Sequence, residues 1–196
     1  MLAEYLRTQY PHIKSLNVLE LDPDSPLQPI LREANTYVRT YFDPGVATNT
    51  KRADGALMAD ITRLQFANEC FDIIVSSEVL EHVPDLYAAF DEVYRVLRPG
   101  GVHIFTVPPA KTTKKLAAVE NGIIKHLVHP PEYHGDPLGK GGILAFWHLG
   151  PDFPQWFSEC DLEFEVVMGP EGKDERIIWR ARRLEHASRV MPLKAG

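Results

Sequence analysis

Phe71-Asp72-Ile73-Ile74-Val75-Ser76 is the stretch that decides the fold of this 196-residue chain. A near-continuous apolar run of this length marks a central strand covered on both faces, since neither face then calls for polar side chains. Downstream, Leu86, Phe90, Val93, Tyr94 and Leu97 share one face of a helix. Pro99-Gly100-Gly101 ends that helix, and residues 102–107 (VHIFTV) form the next strand. Upstream, residues 17–21 (NVLEL) read as a strand, followed by the turn-rich Asp22-Pro23-Asp24-Ser25-Pro26 and a short helix over 27–34. Pro26 and Pro29 suit a first helical turn, with Asp24 or Ser25 available as its cap. Residues 36–42 (TYVRTYF) are β-branched and aromatic until Asp43-Pro44-Gly45 break them, and 57–60 form a short third strand. One more helix is expected near residues 2–9.

Strands and helices alternating at this spacing call for a parallel sheet with helices on both sides, and the right-handed crossover rule leaves few topologies. The end of the chain reads differently. Residues 162–168 (LEFEVVM) and 176–182 (RIIWRAR) flank Gly169-Pro170-Glu171-Gly172-Lys173-Asp174, a hairpin signal, and 152–160 are expected to form the helix before it. The expected fold class is therefore α/β, Rossmann-like and doubly wound, mostly parallel, closed by a C-terminal antiparallel hairpin. Residues 1–196 read as one domain, with 110–150 as a long insert of the kind that serves as a lid or recognition element.

Composition narrows the function class. Hydrophobic residues at 44% and charged residues at 24% are ordinary for a globular domain. No apolar run has the length of a membrane span, and the start MLAEYLRTQY lacks a secretory pattern. Two cysteines, Cys70 and Cys160, make neither a disulfide framework nor a zinc knuckle, so a cytoplasmic setting with no membrane partner is expected. The net charge of −6 argues against a nucleic-acid partner. The basic residues near the end (Arg176, Arg180, Arg182, Arg183, Arg189 and Lys194) carry no interleaved aromatic stacking pattern.

In open sheets of this kind, ligands bind beyond the carboxyl ends of the strands, where strand order reverses. Four loops fall there: 22–26, the turn at Asp43, Asp60-Ile61-Thr62, and Ser76-Ser77-Glu78 onward to His82. Carboxylates at such tips suit ribose hydroxyls and an adenine amine, because an ionised acid accepts from both. Taken singly, each acid reads as an ordinary turn residue; their recurrence at successive strand ends is the signal.

Three segments then resemble one family. Phe71-Asp72-Ile73-Ile74-Val75-Ser76-Ser77-Glu78-Val79-Leu80-Glu81-His82-Val83-Pro84-Asp85 resembles the fourth-strand motif of class I S-adenosylmethionine-dependent methyltransferases of the type 11 kind. Ala59-Asp60-Ile61-Thr62-Arg63-Leu64-Gln65-Phe66 is similar to their adenine loop, and Tyr94-Arg95-Val96-Leu97-Arg98-Pro99-Gly100-Gly101 to their helix-to-fifth-strand segment. The resemblance implies a seven-stranded sheet and S-adenosylmethionine as cofactor. It implies that Asp60 accepts from the adenine amine while the Ile61 backbone reads the ring edge, and that Ser76, Ser77 and Glu78 line the methionine end. Glu20, Asp22 and Asp43 occupy the remaining cofactor-facing positions. His82 falls near the methyl donor, and His134, in the Pro-Gly-rich 130–137 loop, is within reach of the site. Both are the candidate catalytic groups, each with a plain alternative as a packing or turn residue.

The departure lies in the first loop. The family pattern E-x-G-x-G-x-G becomes Glu20-Leu21-Asp22-Pro23-Asp24-Ser25-Pro26, with no glycine for close backbone approach and two prolines lacking an N–H. Tyr41 also stands where an acid is often found, two places before Asp43. Two readings follow: methyl transfer to a small-molecule or glycan-like acceptor, or a binding or scaffold domain of the same fold without catalysis. The missing G-x-G-x-x-G argues against a nicotinamide dehydrogenase. SSEVLEH in place of an Asn/Asp-Pro-Pro-aromatic loop argues against nucleobase amine methylation. Histidines 126, 129, 134 and 148 match no standard zinc spacing, so no metal is expected from them.

Overall fold

The computed structural model describes residues 1–22, 24–135, 141–169 and 177–185. Seven strands form one sheet: β1 (Asn17–Glu20), β2 (Thr36–Tyr41), β3 (Leu57–Met58), β4 (Phe71–Ser77), β5 (Leu97–Val107), β6 (Leu162–Met168) and β7 (Ile177–Arg183). Their order is β6-β7-β5-β4-β1-β2-β3. The first five run parallel, while β7 pairs antiparallel to β5 and β6 antiparallel to β7. This is the expected doubly wound fold with its closing hairpin.

Alternation along the central strands explains why both faces are covered. Leu19, Ile74 and Phe105 join one buried cluster, with α3 (Leu86–Val96) packed on it through Leu86, Phe90 and Val93. The neighbouring Val18, Ile73, Val75 and Ile104 join a second cluster on the other face, under α1 (Leu2–Gln9) and α2 (Gln28–Leu31). Successive strand residues point to opposite faces, so an unbroken apolar run is what two helical layers demand. Asp85 starts α3 by accepting the Ala88 backbone N–H at 3.0 Å.

Several expected boundaries move. The helix expected over 27–34 is the single turn α2, and that over 152–160 is the single turn α4 (Phe153–Trp156), packed by its Phe153 against Trp179 at 4.6 Å. The third strand stops at Met58, because Asp60 folds back to accept the Thr62 N–H and hydroxyl at 2.8 and 2.7 Å. The helix ends at Val96, and β5 already begins at Leu97. Residues 98–101 bulge there: Phe71 faces Leu97 but Ile73 faces Val102. A side chain at Gly101 would meet the Arg98 and Asp72 carbonyls at 2.9 and 3.1 Å, so the bulge requires glycine. Of the terminal basic residues, Arg183 is drawn into the fold, with its guanidinium 4.3 Å from the Tyr94 ring and its Nη2 2.6 Å from Glu69. Arg180 pairs with Glu165. Arg176, Arg189 and Lys194 lie outside the described residues.

The described residues of the 110–150 segment build three two-stranded antiparallel ribbons: Lys114–Lys115 with Trp147–His148, Ala117–Glu120 with Ile123–His126, and Tyr133–His134 with Ile143–Leu144. Ala117, Phe146, Trp147 and Leu149 from it are buried in the first cluster.

Candidate functional site

At the carboxyl ends of β1 and β4 lies a cavity of about 640 Å³, within the usual size of a small-molecule site. Asp22, Ser77, Glu78, Glu81, His82 and His134 line it, with Leu21 and Pro108 from the ends of β1 and β5. Glu78 leaves β4 with φ of 54°, a left-handed turn rare for a residue with a side chain. Its N–H donates to the Thr106 carbonyl at 3.1 Å, and the Ser77 and Thr106 hydroxyls sit 3.0 Å apart, so the exit of β4 is tied to β5.

Glu81 follows in a short 3-10 turn, Leu80–His82, and is 1% exposed. Among the described residues, neither carboxyl oxygen has a hydrogen-bond partner. Burial, with the charge of Glu78 adding to it, pushes this carboxyl up to about 8. Two histidines face it. His82 Nε2 lies 3.7 Å and His134 Nδ1 3.8 Å from the same Glu81 oxygen, and the two rings stand edge to face with centroids 5.2 Å apart. Each ring is fixed from behind. His82 Nδ1 lies 2.9 Å from the Leu144 carbonyl, and His134 Nε2 lies 3.0 Å from Glu132, which His148 also holds at 2.8 Å. Burial lowers the His82 pKa, and the two histidines lower that of Glu132.

The insert is fastened to this turn. Phe146 N–H donates to the Glu81 carbonyl at 2.7 Å and Trp147 Nε1–H to the Val83 carbonyl at 3.0 Å. Gly142 lets the Ile143–Leu144 strand approach: its φ is 95°, and a side chain would come within 2.7 Å of the His134 carbonyl.

The first loop closes without glycine. The Asp22 carboxylate accepts the Asp24 N–H at 3.0 Å, and the Ser25 hydroxyl accepts the Leu27 N–H at 3.0 Å. Ser25 and Tyr37 hydroxyls both reach the Glu20 carboxylate. Arg52 grips Asp24 at 3.0 Å, which ties the loop to the segment after β2. Side-chain hydrogen bonds thus do the folding that glycines do elsewhere. Pro26 is exposed and does not line the cavity; Pro23 lies outside the described residues.

Of the residues singled out from the sequence, Asp22, Ser77, Glu78, His82 and His134 come together at the cavity. Glu20 is fully buried and engaged by Ser25 and Tyr37, and Ser76 is buried with its hydroxyl 2.8 Å from His103 Nε2. Asp43 is exposed and caps its own turn at Gly45, while Asp60 and the buried Ile61 sit at the end of β3 outside the cavity. The four histidines considered together in the sequence separate. His126 and His129 pair with each other at 6.3 Å, whereas His134 and His148 share Glu132. Sequence reading missed Glu81 and Glu132; the adjacency of Glu81 and His82 was the available signal, and Glu132 had none.

A family model described as a methyltransferase domain matches residues 8–105. The chain is 40% identical over 160 residues to malonyl-[acyl-carrier protein] O-methyltransferase of Salmonella typhimurium, covering 76% of this chain and 62% of that protein. It is 41% identical over 56 residues to a ubiquinone/menaquinone biosynthesis C-methyltransferase of Desulfotalea psychrophila, covering 28% of this chain and 23% of that one. The chain thus spans less than two thirds of these relatives. Among solved structures, a Burkholderia thailandensis 1,6-didemethyltoxoflavin-N1-methyltransferase, with bound 1,6-didemethyltoxoflavin and S-adenosylhomocysteine, superposes with a TM-score of 0.59. Identity is 12%, over 93% of this chain and 76% of that one. An S-adenosylmethionine-dependent methyltransferase from Mesorhizobium loti gives 0.56 at 17% identity, over 92% and 96%.

Proposed function

The chain belongs to the methyltransferase domain family, and from that premise we propose that it transfers a methyl group from S-adenosylmethionine to a small-molecule or glycan-like acceptor. One observation carries the reading: the described lining of the cavity holds the carboxyl groups of Asp22 and Glu78 and no lysine or arginine, while its third acid, Glu81, is kept largely protonated by burial. An ammonium and a sulfonium outnumber the cofactor's single carboxylate, so such a lining fits its charge. When bound, this cofactor supplies an electrophilic methyl group on sulfur.

Asp22 and Glu78 are the residues proposed to hold the amino acid end, and Asp60 the adenine amine. One oxygen of Asp60 already accepts from Thr62, which fixes the carboxylate and leaves its second oxygen to accept again. The protein's share of the work is to position the reactants and exclude water. The insert, residues 110–150, forms the acceptor wall in this reading, and His82 and His134 present ring nitrogens that can take a proton from an acceptor that must lose one.

A second reading, a binding domain without turnover, is favoured by the glycine-free first loop and its Asp22 and Asp24 carboxylates. Calorimetric titration with S-adenosylhomocysteine separates the two. Binding in the micromolar range is expected, and Asp60→Asn, which keeps the Thr62 contact, weakens it by about 1–3 kcal/mol. Absence of heat and of any thermal shift at millimolar ligand sinks the methyl-transfer reading.

A further inference from the structure

We infer that Glu81, His82 and His134 form a binding site for one divalent transition-metal ion, open toward the cavity. The three ligand atoms lie within 4.8 Å of one another. Two ring nitrogens stand 3.7 and 3.8 Å from one Glu81 oxygen, too far for hydrogen bonds. Ligands at tetrahedral angles on metal bonds of about 2.1 Å are separated by about 3.4 Å, so the two histidine-to-Glu81 distances need a few tenths of an ångström of closure, and the two ring nitrogens, within 4.8 Å of each other, draw together by at most about 1.4 Å.

The ring orientations point the same way. A carbonyl oxygen only accepts, so His82 Nδ1 carries the hydrogen toward Leu144 and its Nε2 offers a lone pair to the cluster. The Glu132 carboxylate likewise takes the hydrogen of His134 Nε2, leaving the Nδ1 lone pair on the Glu81 side. Metal-bound imidazoles are held by this kind of outer contact, one nitrogen donating to a carbonyl or carboxylate. The carboxyl between them is buried and unpartnered, and a cation is the group that would satisfy both imidazoles and the carboxyl together. Imidazole-rich donors of this kind select zinc, copper, iron or nickel over magnesium. All three residues line the cavity, so exchangeable positions on the ion face its contents, and with the ion bound the two ring nitrogens no longer serve as proton acceptors.

The probe is Co²⁺ added to the chelator-dialysed chain at pH 7.5. The expected result is one ion per chain with a visible absorption band, displaced by Zn²⁺ but not by Mg²⁺. His134→Ala, in a partly exposed ribbon, lowers the affinity at least tenfold. Glu132→Gln, which leaves all three ligands, lowers it about 10–100-fold. His126→Ala, in the separate histidine pair, leaves it unchanged. Circular dichroism verifies that each variant is folded. The inference is overturned if no stoichiometric Co²⁺ binds, if His134→Ala and Glu132→Gln bind as tightly as the parent, or if His126→Ala abolishes the band. The readout does not involve cofactor or methyl transfer, so its failure leaves the methyltransferase reading intact.

Discussion

His103 makes acid a specific threat to this fold. It sits in β5, fully buried, with Nε2 2.8 Å from the Ser76 hydroxyl and its ring 4.9 Å from that of Phe105. Its other nitrogen, Nδ1, is buried with no hydrogen-bond partner, so nothing nearby would accept a proton placed there. Burial drives its pKa down to about 3, from an ordinary value of 6.5. Above pH 6.5 the imidazole is neutral in both folded and unfolded chains and contributes no pH dependence. Below it the unfolded chain takes up a proton that the folded chain refuses, and stability falls with pH until about 3. Each pH unit in that window costs about 1.4 kcal/mol, so acidifying from 6.5 to 5.0 removes about 2 kcal/mol. The comparison is with His103→Gln, which retains a donor or acceptor for Ser76 but does not titrate. Urea denaturation of both chains at pH 7.5 and 5.0 isolates the effect, because every other titrating group is common to the two. The parent should lose about 2 kcal/mol more than the variant on acidification. Equal losses would refute the assignment of a proton-refusing imidazole at this position.

Two further perturbations test the frame around the site. Phe153→Ala empties a fully buried position between Trp179 at 4.6 Å and Phe164 at 5.0 Å, and should cost about 3–5 kcal/mol in chemical denaturation. A loss under 1 kcal/mol would mean that α4 contributes little to the core. Asp85→Ala removes the cap of α3 and should cost about 1 kcal/mol with the same denaturant slope, while Asp85→Asn should cost much less.

The parallel sheet was legible because burial on both faces leaves a direct mark: Ile73, Ile74 and Val75 must all be apolar when alternate residues enter different clusters. The closing hairpin was legible from the signal at 169–174, of which residues 170–174 lie outside the described residues. The short helices were read too long. Their proline-bearing first turns are genuine starts, but α2 and α4 end after one turn, held by tertiary packing of Ile30, Leu31 and Phe153 rather than by helical length. The site was half legible. Ser77, Glu78 and His82 leave one strand together and share a motif. The convergence of His134 on Glu81 depends on a ribbon register, Ile143 opposite His134, that no local pattern announces. The closure of the first loop was not legible either. Its missing glycines are replaced by contacts of Glu20 with Ser25 and Tyr37, and Tyr37 lies on a different strand.

The attachment of the insert at Phe146 and Trp147 has an evolutionary price. Elements that choose an acceptor are easiest to exchange when they hang from the scaffold by their two ends, as independent cassettes. Here the backbone of Glu81 and of Val83 is itself part of the fastening. Transplanting residues 110–150 from a relative would therefore disturb the turn that carries His82, so the sequence of this segment and the turn geometry must drift together. Descendants of this chain are expected to vary residues 110–150 by side-chain replacement rather than by wholesale loop exchange.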